Sequence, residues 1–287
     1  MNKGSCLCGD IQWQVEGPPN MMMNCYCSVC RKLHGTDFVT FIGYGADGFK
    51  WLAGEDKVRL YASTPGGPAM RASCPKCGSK VAVEMPDGSS VFMPAGNLEG
   101  DIDRLPDFNC FVGSMAPWTE IPPGSTSFEG FPDGYDGPTL EDLVRPPATA
   151  AATGGSCHCG KVSFEFDMPF ERMGYCHCSL CRKSVSGAMS SEVFVESEDF
   201  RWLAGEDNLE RYDHPDSHFS LHFCRDCGSL MPIHLGDEED LYLVPAGSLD
   251  QDPGIRPMGH IFVGSKANWD EIADDLPRFE EWPAEAG

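Results

Sequence analysis

The sequence predicts a mainly β protein built from two tandem domains, and three observations indicate this. The chain has 287 residues, which is longer than one typical domain. A pattern of cysteines in the first half returns in the second half. Apolar residues alternate with polar ones over short segments that are separated by glycine, proline and aspartate, which is typical of strands and turns.

The repeat extends beyond the cysteines. Five cysteines of the first copy return 151 residues later, and the string Trp51–Asp56 reappears unchanged at Trp202–Asp207. The shift is 150 residues for Cys74 and Cys77, so the second copy lacks one residue before this pair. Agreement over so many positions predicts a tandem duplication.

The composition locates the join between the two copies. Residues 122–155 are rich in Pro, Gly, Ser, Thr and Ala, which is typical of a linker. Each copy on either side has the length of an ordinary domain. We therefore predict a first domain, a linker and a second domain, at residues 1–123, 124–153 and 154–287.

Within each copy the alternation of apolar and polar residues predicts short strands. It occurs at the same place in both copies, at Ile11, Trp13 and Val15 and at Val162, Phe164 and Phe166. Long amphipathic helices are not evident. We predict one short helix at residues 267–272, begun by Ser265 or Asn268 as the N-cap.

The charge of the chain disfavours some classes of partner. Its 44 acidic and 21 basic side chains give a formal net charge of −23. Because like charges repel, we expect neither nucleic acid nor an anionic membrane surface as a partner. The N-terminus lacks the apolar segment of a secretory signal, and no apolar run approaches the roughly 20 residues that a bilayer requires. Fifteen cysteines, an odd number, fit a reducing compartment, so we expect a cytoplasmic protein.

Each copy contains three cysteine clusters, spaced C-x-C, C-x-C-x-x-C and C-x-x-C. Tetrahedral zinc needs four ligands, and closed four-cysteine sites are usually structural. Seven thiolates therefore divide into four and three. We predict that the first and last clusters form one structural zinc site in each domain, from Cys6, Cys8, Cys74 and Cys77 and from Cys157, Cys159, Cys224 and Cys227.

The middle cluster of each copy would then hold a second zinc ion and leave one position open, as in catalytic zinc sites. These clusters are Cys25, Cys27 and Cys30 and Cys176, Cys178 and Cys181. We thus expect two zinc ions per domain and four per chain. A fourth protein ligand such as His34 or His177 is an alternative, and so is an iron–sulfur cluster. Cys110 has no counterpart in the second copy and is interpreted as a buried free thiol.

The order of the motifs resembles that of a known family. The second copy carries G-S-C-x-C-G at 155–160, C-x-C-S-x-C-R-K at 176–183, C-x-x-C-G at 224–228, P-A-G-x-L at 245–249 and H-I-F-V-x-S-K-A-x-W at 260–269. This is similar to the glutathione-dependent formaldehyde-activating family, also called centromere-protein-V-like, and the resemblance covers both copies. It implies two tandem β-tent domains of packed antiparallel sheets, each with a structural four-cysteine zinc and a catalytic three-cysteine zinc.

The resemblance also implies a function. A zinc-dependent carbon–sulfur lyase, or thiol–aldehyde adduct synthase, would act on a small thiol such as glutathione and on an aldehyde or a thiol conjugate. We predict that His260 is the general acid, that Lys266 belongs to the same catalytic site, and that Arg182 and Lys183 bind substrate carboxylates. A non-catalytic, zinc-stabilised binding module or scaffold is the alternative.

The two copies differ at these positions. The first copy has Asn109 and Met115 where the second has His260 and Lys266. It has therefore lost a titratable group and a fixed positive charge. We predict that the second domain is the active one and that the first is degenerate.

Overall fold

The structure, a computed structural model, describes residues 1–64, 70–134, 139, 151, 153–167, 172–236 and 240–283. Over these residues the chain forms many short strands joined by turns, with two α-helices of seven residues each. The prediction of a mainly β fold is confirmed. No helix in these ranges is long and apolar enough to cross a bilayer.

The first domain contains one helix, α1 (Ser28–His34), within its described part. Its strands are β1 (Asn2–Ser5), β2 (Gln12–Val15), β3 (Met21–Cys25), β4 (Val39–Gly45), β5 (Phe49–Ala53), β6 (Arg59–Tyr61), β7 (Arg71–Ser73), β8 (Val83–Glu84), β9 (Ser90–Pro94), β10 (Phe108–Cys110) and β11 (Ser127–Phe128).

The second domain repeats this order, with α2 (Ser179–Val185) in the place of α1. Its strands are β12 (Gly154–Ser156), β13 (Ser163–Phe166), β14 (Met173–Cys176), β15 (Ser190–Glu196), β16 (Phe200–Ala204), β17 (Leu209–Asp213), β18 (Ser220–Cys224), β19 (Leu230–Met231), β20 (Ile233–His234), β21 (Leu241–Pro245) and β22 (His260–Ile261).

The described strands of each domain form three sheets. Those of the first domain have the orders β1-β2-β5, β11-β10-β3-β4-β9-β8 and β6-β7, and those of the second β12-β13-β16, β22-β14-β15-β21-β20 and β17-β18-β19. Most pairs are antiparallel, but β10 runs parallel to β3, and β22 runs parallel to β14. These parallel pairs place the tail motif beside the strand that ends in the first cysteine of the middle cluster.

The alternation of apolar residues found in the sequence corresponds to real strands. In β2 the side chains of Trp13 and Val15 are buried while Gln12 is exposed. In β13 Phe164 and Phe166 are buried in the same way. Because successive side chains of a strand point to opposite faces, the buried set forms one wall of the core.

The predicted helix at 267–272 is wrong. The chain there forms a turn that follows a 3₁₀ segment at Val263–Ser265. The side chain of Lys266 donates hydrogen bonds to the carbonyls of Ala267 and Asp270, and Asn268 exchanges two hydrogen bonds with the backbone of Ile102 in the first domain. These contacts hold the segment in an irregular conformation, which outweighs its helix propensity.

The predicted linker is described only in part, because residues 135–138, 140–150 and 152 lie outside the described ranges. Its first residues pack onto the first domain. Strand β11 pairs with β10, and the ring of Phe128 lies 5.7 Å from that of Phe108. The segment just after residue 123 therefore extends the sheet of the first domain.

The two domains contact each other through a matched pair of lysines. Lys32 of α1 forms an ion pair with Asp250 of the second domain at 2.5 Å. Its counterpart Lys183 of α2 donates to Ser5 Oγ at 2.7 Å and pairs with Glu99 at 3.2 Å in the first domain. Each middle-cluster helix is thus anchored on the opposite domain.

A third lysine lies between the C-x-x-C-G turns of both domains. The buried ammonium group of Lys80 donates to the carbonyls of Gly78 at 2.9 Å and Gly228 at 2.7 Å. A Cβ atom at Gly78 would also lie only 2.8 Å from the Phe223 ring of the second domain. The two predicted structural sites therefore adjoin each other at the domain interface.

A buried carboxylate of the first domain also holds the second. Asp37, which is fully buried, accepts hydrogen bonds from Trp118 Nε1 and Thr119 Oγ1 within its own domain, both at 2.9 Å. It also accepts from Tyr175 OH at 2.9 Å and Ser191 Oγ at 2.6 Å in the second domain. Four donors compensate for the loss of water around this carboxylate.

We expect Asp37→Ala to lower the free energy of unfolding by about 3–5 kcal/mol, because four buried donors lose their acceptor. Thermal and urea denaturation of the zinc-loaded protein would measure this change. Asp103→Ala, at an exposed position in the same domain, is the matched control and should change stability by less than about 0.5 kcal/mol. Equal stability of both variants would contradict this account of the interface.

Candidate metal centres

The predicted four-cysteine groups come together in both domains. The sulfurs of Cys6, Cys8, Cys74 and Cys77 lie within 4.8 Å of one another, and so do those of Cys157, Cys159, Cys224 and Cys227. The Sγ atoms of Cys8 and Cys74 are 3.7 Å apart, and those of Cys159 and Cys224 are 3.8 Å apart. A tetrahedron with zinc–sulfur bonds of about 2.3 Å has edges of about 3.8 Å. Both groups therefore fit a zinc ion.

The backbone around these sulfurs is shaped by glycine. Gly78 and Gly228 adopt φ angles of 71° and 73°, a left-handed conformation that favours glycine. Their amides donate to the carbonyls of Cys74 and Cys224, both at 2.9 Å. The C-x-x-C-G spacing thus closes a tight turn that brings two thiols to one side.

The middle clusters begin the only two α-helices of the described chain. In α1 the N-cap is Cys27, whose sulfur accepts a hydrogen bond from the amide of Cys30 at 3.3 Å. In α2 the N-cap is Cys178, whose sulfur accepts from the amide of Cys181 at 3.4 Å. Amides at a helix start favour a negatively charged sulfur, so this position suits a thiolate ligand.

The two middle clusters differ in exposure. The sulfurs of each cluster lie within 4.8 Å of one another. Cys25, Cys27 and Cys30 are all buried, with at most 5% of their surface exposed. Cys176, Cys178 and Cys181 are all partly exposed. The second cluster is therefore the more exposed of the two.

Proton sharing places the negative charge of the second cluster on one sulfur. Hydrogen bonds from Cys176 and Cys181 lower the pKa of Cys178, and the amides of α2 add to this effect. The contact with Cys178, together with burial, raises the pKa of Cys176 to about 12, against a lowering by Cys181. The first deprotonation of this cluster therefore occurs at the N-cap cysteine.

A chain of polar side chains runs beside the second cluster. His177 lies between Cys176 and Cys178 and is fully buried, and its Nε2 atom is 2.9 Å from Nδ1 of His260. Nε2 of His260 lies 3.0 Å from both carboxylate oxygens of Asp274. Nδ1 of His177 faces Oδ2 of Asp270 at 3.5 Å. This chain fixes the orientation of His177.

The position of His260 bears on its predicted role. Both of its ring nitrogens are engaged, and only 1% of the residue is exposed. Its ring also stacks on Tyr175, the residue whose hydroxyl donates to Asp37 of the first domain. In this geometry His260 is placed to orient His177, and donation of a proton to substrate stays a prediction.

The predicted cations occupy three different settings. Lys183 is engaged at the domain interface, as described above, and Lys266 is engaged by the carbonyls of its own turn. The guanidinium of Arg182 makes no hydrogen bond within the described ranges, and its Nε atom is buried. Burial lowers the pKa of Arg182, while the nearby Cys178 and Asp270 raise it. Of the three, Arg182 is therefore the best placed to receive an anion beside the second cluster.

The first domain lacks this chain of side chains. Tyr26 and Asn109 stand where the second domain has His177 and His260, and Asn109 bonds Ser125 and Asn24 instead. The imidazole of His34 is buried, and its Nδ1 donates to the carbonyl of Val185 at 2.7 Å. Neither His34 nor His177 belongs to a cysteine group of the described chain, so the alternative of a fourth histidine ligand gains no support.

Several residues of the site are not evident from the sequence. Asp37, Asp270 and Asp274 belong to no sequence motif. Each of them contacts a residue of the site that lies more than thirteen positions away along the chain. Arg71 of β7 is another, because it approaches the first middle cluster from a different sheet. A comparison of the copies offers one signal, since Asp37 and Arg71 are replaced by Ala188 and Leu221 in the second copy.

Glu192 of β15 is a half-buried acid of the second domain with a buried Oε2 atom. Its Oε2 atom has no hydrogen-bond partner in the described chain, and burial raises the pKa of Glu192 to about 8, against a smaller lowering by Ser190. Between about pH 4.5 and 8 the carboxyl group of Glu192 is therefore protonated in the folded protein and ionised in the unfolded chain. Stability is then fully present below this window and falls as the pH rises through it.

We expect Glu192→Gln to remove this pH dependence. The stability of the wild type relative to the variant should fall by up to about 1.4 kcal/mol per pH unit between about pH 5 and 8. Urea denaturation at several pH values would measure the difference. Two parallel stability curves would contradict the assignment of a protonated carboxyl.

The fold and the cysteine groups together define a duplicated β protein with four sites suited to zinc. The sequence matches the glutathione-dependent formaldehyde-activating enzyme family over residues 1–114 and 152–265. These two segments cover more than half of the chain, and the chain therefore belongs to this family. The predicted membership is confirmed for both copies.

Two relatives show how far the likeness extends. A protein of Halomonas elongata, provisionally named as a glutathione-dependent formaldehyde-activating enzyme, is 28% identical over 139 residues, which are 46% of this chain and 88% of the relative. A crystal structure of a Rhodobacter sphaeroides protein is 27% identical and covers 36% of this chain and 97% of its own, with a TM-score of 0.30. Each relative is about the length of one copy.

Proposed function

We propose that the second domain is a zinc-dependent carbon–sulfur lyase, or thiol–aldehyde adduct synthase, that acts on conjugates of a small thiol such as glutathione. The observation that carries the proposal is the partial exposure of Cys176, Cys178 and Cys181 next to a buried chain of histidines. A partly exposed three-thiolate cluster would leave a coordination position for a substrate sulfur. The family's name supports glutathione as that thiol.

The cluster is chemically suited to zinc, because three sulfurs within 4.8 Å of one another form one face of a tetrahedron. A bound zinc ion would lower the pKa of a thiol in its fourth position, which favours the thiolate near neutral pH. In the overall reaction the thiol sulfur bonds to the carbonyl carbon of the aldehyde, and the thiol proton ends on the carbonyl oxygen. The reverse reaction breaks the same carbon–sulfur bond.

The protein's own side chains bind and orient in this proposal. Arg182, whose guanidinium is not hydrogen-bonded within the described chain, is the candidate partner for a substrate carboxylate. Asp274 accepts from Nε2–H of His260, so that Nδ1 of His260 accepts from Nε2–H of His177. His260 is then a positioning residue, which acts through His177 on the geometry of the cluster.

The proposal is tested by turnover of the purified, zinc-loaded protein with glutathione and formaldehyde, followed by NMR. Exchange between free formaldehyde and the S-hydroxymethyl adduct should be at least about 100-fold faster than in buffer alone. Larger aldehydes and preformed thiol conjugates extend the assay across the substrate class. Exchange at the buffer rate for every thiol tried would refute catalysis and favour the scaffold alternative.

Arg182→Ala should raise the KM for glutathione about 10-fold or more and change kcat by less than about 3-fold, because a carboxylate contact distant from the reacting sulfur adds uniform binding. Steady-state kinetics separate the two constants. Arg31→Ala is the matched control, since Arg31 is the counterpart in α1 and already donates to the carbonyl of Ser114. An equal rise in KM for both variants would contradict a local role for Arg182.

A further inference from the structure

Cys110 is not an isolated thiol in the structure. Strands β10 and β3 run parallel with Cys110 directly opposite Cys25, so both side chains leave the sheet on the same face. Cys110 is also fully buried. Its sulfur donates a weak hydrogen bond of 3.5 Å to the carbonyl of Asn24. A fourth thiol thus borders the first middle cluster of Cys25, Cys27 and Cys30.

The same cluster has a cation that the second domain lacks. Arg71 lies in β7, and its guanidinium carbon is 5.8 Å from the centre of the Phe41 ring. Its side chain faces the cluster at Cys30. Its buried Nε atom has no partner in the described chain.

The two additions occur together and only in the first copy. The second copy has Ile261 in the place of Cys110 and Leu221 in the place of Arg71. Four thiolates exceed the charge of one zinc ion by two, whereas three exceed it by one. A fourth thiolate in a buried site is therefore expected to need a further positive charge, and Arg71 supplies one.

From this juxtaposition we infer that Cys110 is the fourth ligand of a closed zinc site with Cys25, Cys27 and Cys30, and that Arg71 is its counter-ion. The first domain then has two structural zinc sites and no open coordination position. The burial of all four cysteines agrees with a site that admits no substrate. Cys110 is not among the three sulfurs that lie within 4.8 Å of one another, so its side chain must turn from the Asn24 carbonyl to the metal.

Formation of this closed site requires no further reagent. The Cys110 thiol releases its proton to water or buffer, its S–H···O bond to Asn24 is lost, and one sulfur–zinc bond forms. No electron is transferred. The inference concerns ligand number in the first domain and does not depend on the activity proposed for the second.

Cadmium-113 NMR of the fully cadmium-loaded wild-type chain tests the inference, because the chemical shift distinguishes four sulfur ligands from three. We expect three resonances typical of four-sulfur sites and one typical of a three-sulfur site. Two of each kind would overturn the inference. This measurement uses the intact chain and does not depend on the folding of a variant.

Substitutions assign the resonances and supply the control. Cys110→Ser should convert one four-sulfur resonance into a three-sulfur one. It should also raise the number of zinc ions that a chromophoric chelator removes rapidly, from one to two per chain.

Arg71→Met should keep the pattern of three four-sulfur resonances and one three-sulfur resonance, and it should speed zinc loss from the first domain. Ile261→Val, at the equivalent position of the second domain, should leave pattern and count unchanged. A Cys110→Ser spectrum identical to wild type would contradict the inference.

Discussion

Cys178→Ser is expected to lower kcat/KM for thiol–aldehyde turnover by at least about 100-fold, with little change in the folded structure. Cys178 is the N-cap of α2, and the hydrogen bonds that lower the pKa of its thiol make it the first sulfur of the cluster to ionise. A serine hydroxyl does not ionise near neutral pH and binds zinc weakly, so the variant loses the metal that the proposed chemistry needs. Steady-state kinetics and the zinc content per chain would be measured on the same preparation.

The first domain offers the matched control. Cys27 holds the equivalent N-cap position in α1, but its cluster is buried and lacks the histidine chain. Cys27→Ser should therefore keep kcat/KM within about 3-fold of wild type when assayed below its own melting temperature. Full activity in Cys178→Ser would refute the assignment of the active domain, and so would loss of activity in Cys27→Ser with the fold intact.

Cys224→Ser is expected to lower the free energy of unfolding by about 5 kcal/mol or more and the Tm by about 10–20 °C. Binding of structural zinc contributes about 10–16 kcal/mol in small zinc-dependent folds, and loss of one thiolate in four removes a large share of it. The effect should reach the first domain, because Lys80 joins Gly228 to Gly78 across the interface. Calorimetry would give the Tm. Hydrogen exchange at the amide of Gly78 would show whether the destabilisation reaches the first domain.

Cys74→Ser is the pseudo-symmetric counterpart and should destabilise to a similar degree. Ser217→Ala, at an exposed turn of the second domain, is the control and should shift the Tm by less than about 2 °C. A Cys224→Ser protein with the wild-type Tm and full zinc content would show that the group is not a structural metal site.

Much of the fold could be predicted because it depends on local and repeated signals. The alternation at Trp13 and Val15 predicts a strand with one buried face, and such a strand is present at this place in both copies. The C-x-x-C-G spacing specifies a turn through the glycine alone, as Gly78 and Gly228 show. The helix predicted at 267–272 failed because its side chains bond to a segment distant in sequence, which local propensity does not describe.

The surroundings of the metal clusters were less accessible to sequence reasoning. Lys183, two residues after the third cysteine of its motif, is predicted to bind a substrate carboxylate, and this stays a prediction. Its ammonium group is bound to Ser5 and Glu99 of the other domain, which the sequence does not indicate. Cys110 is buried and free, as its lack of a repeat partner predicts, and the parallel pairing of β10 with β3 sets it beside Cys25, which the sequence does not show. Both outcomes depend on which strands and domains become neighbours.

The sequence by itself determined the duplication, the division of each seven cysteines into four and three, and the family. These features depend on spacing along the chain, and spacing is what a sequence records directly. Only the tertiary structure decided that one middle cluster is buried and the other partly exposed, and that Asp37 of the first domain supports Tyr175 and hence His260 of the second. Exposure and contacts between domains arise when distant segments pack and exclude water. Two nearly identical cysteine motifs can therefore have different chemistry within one chain.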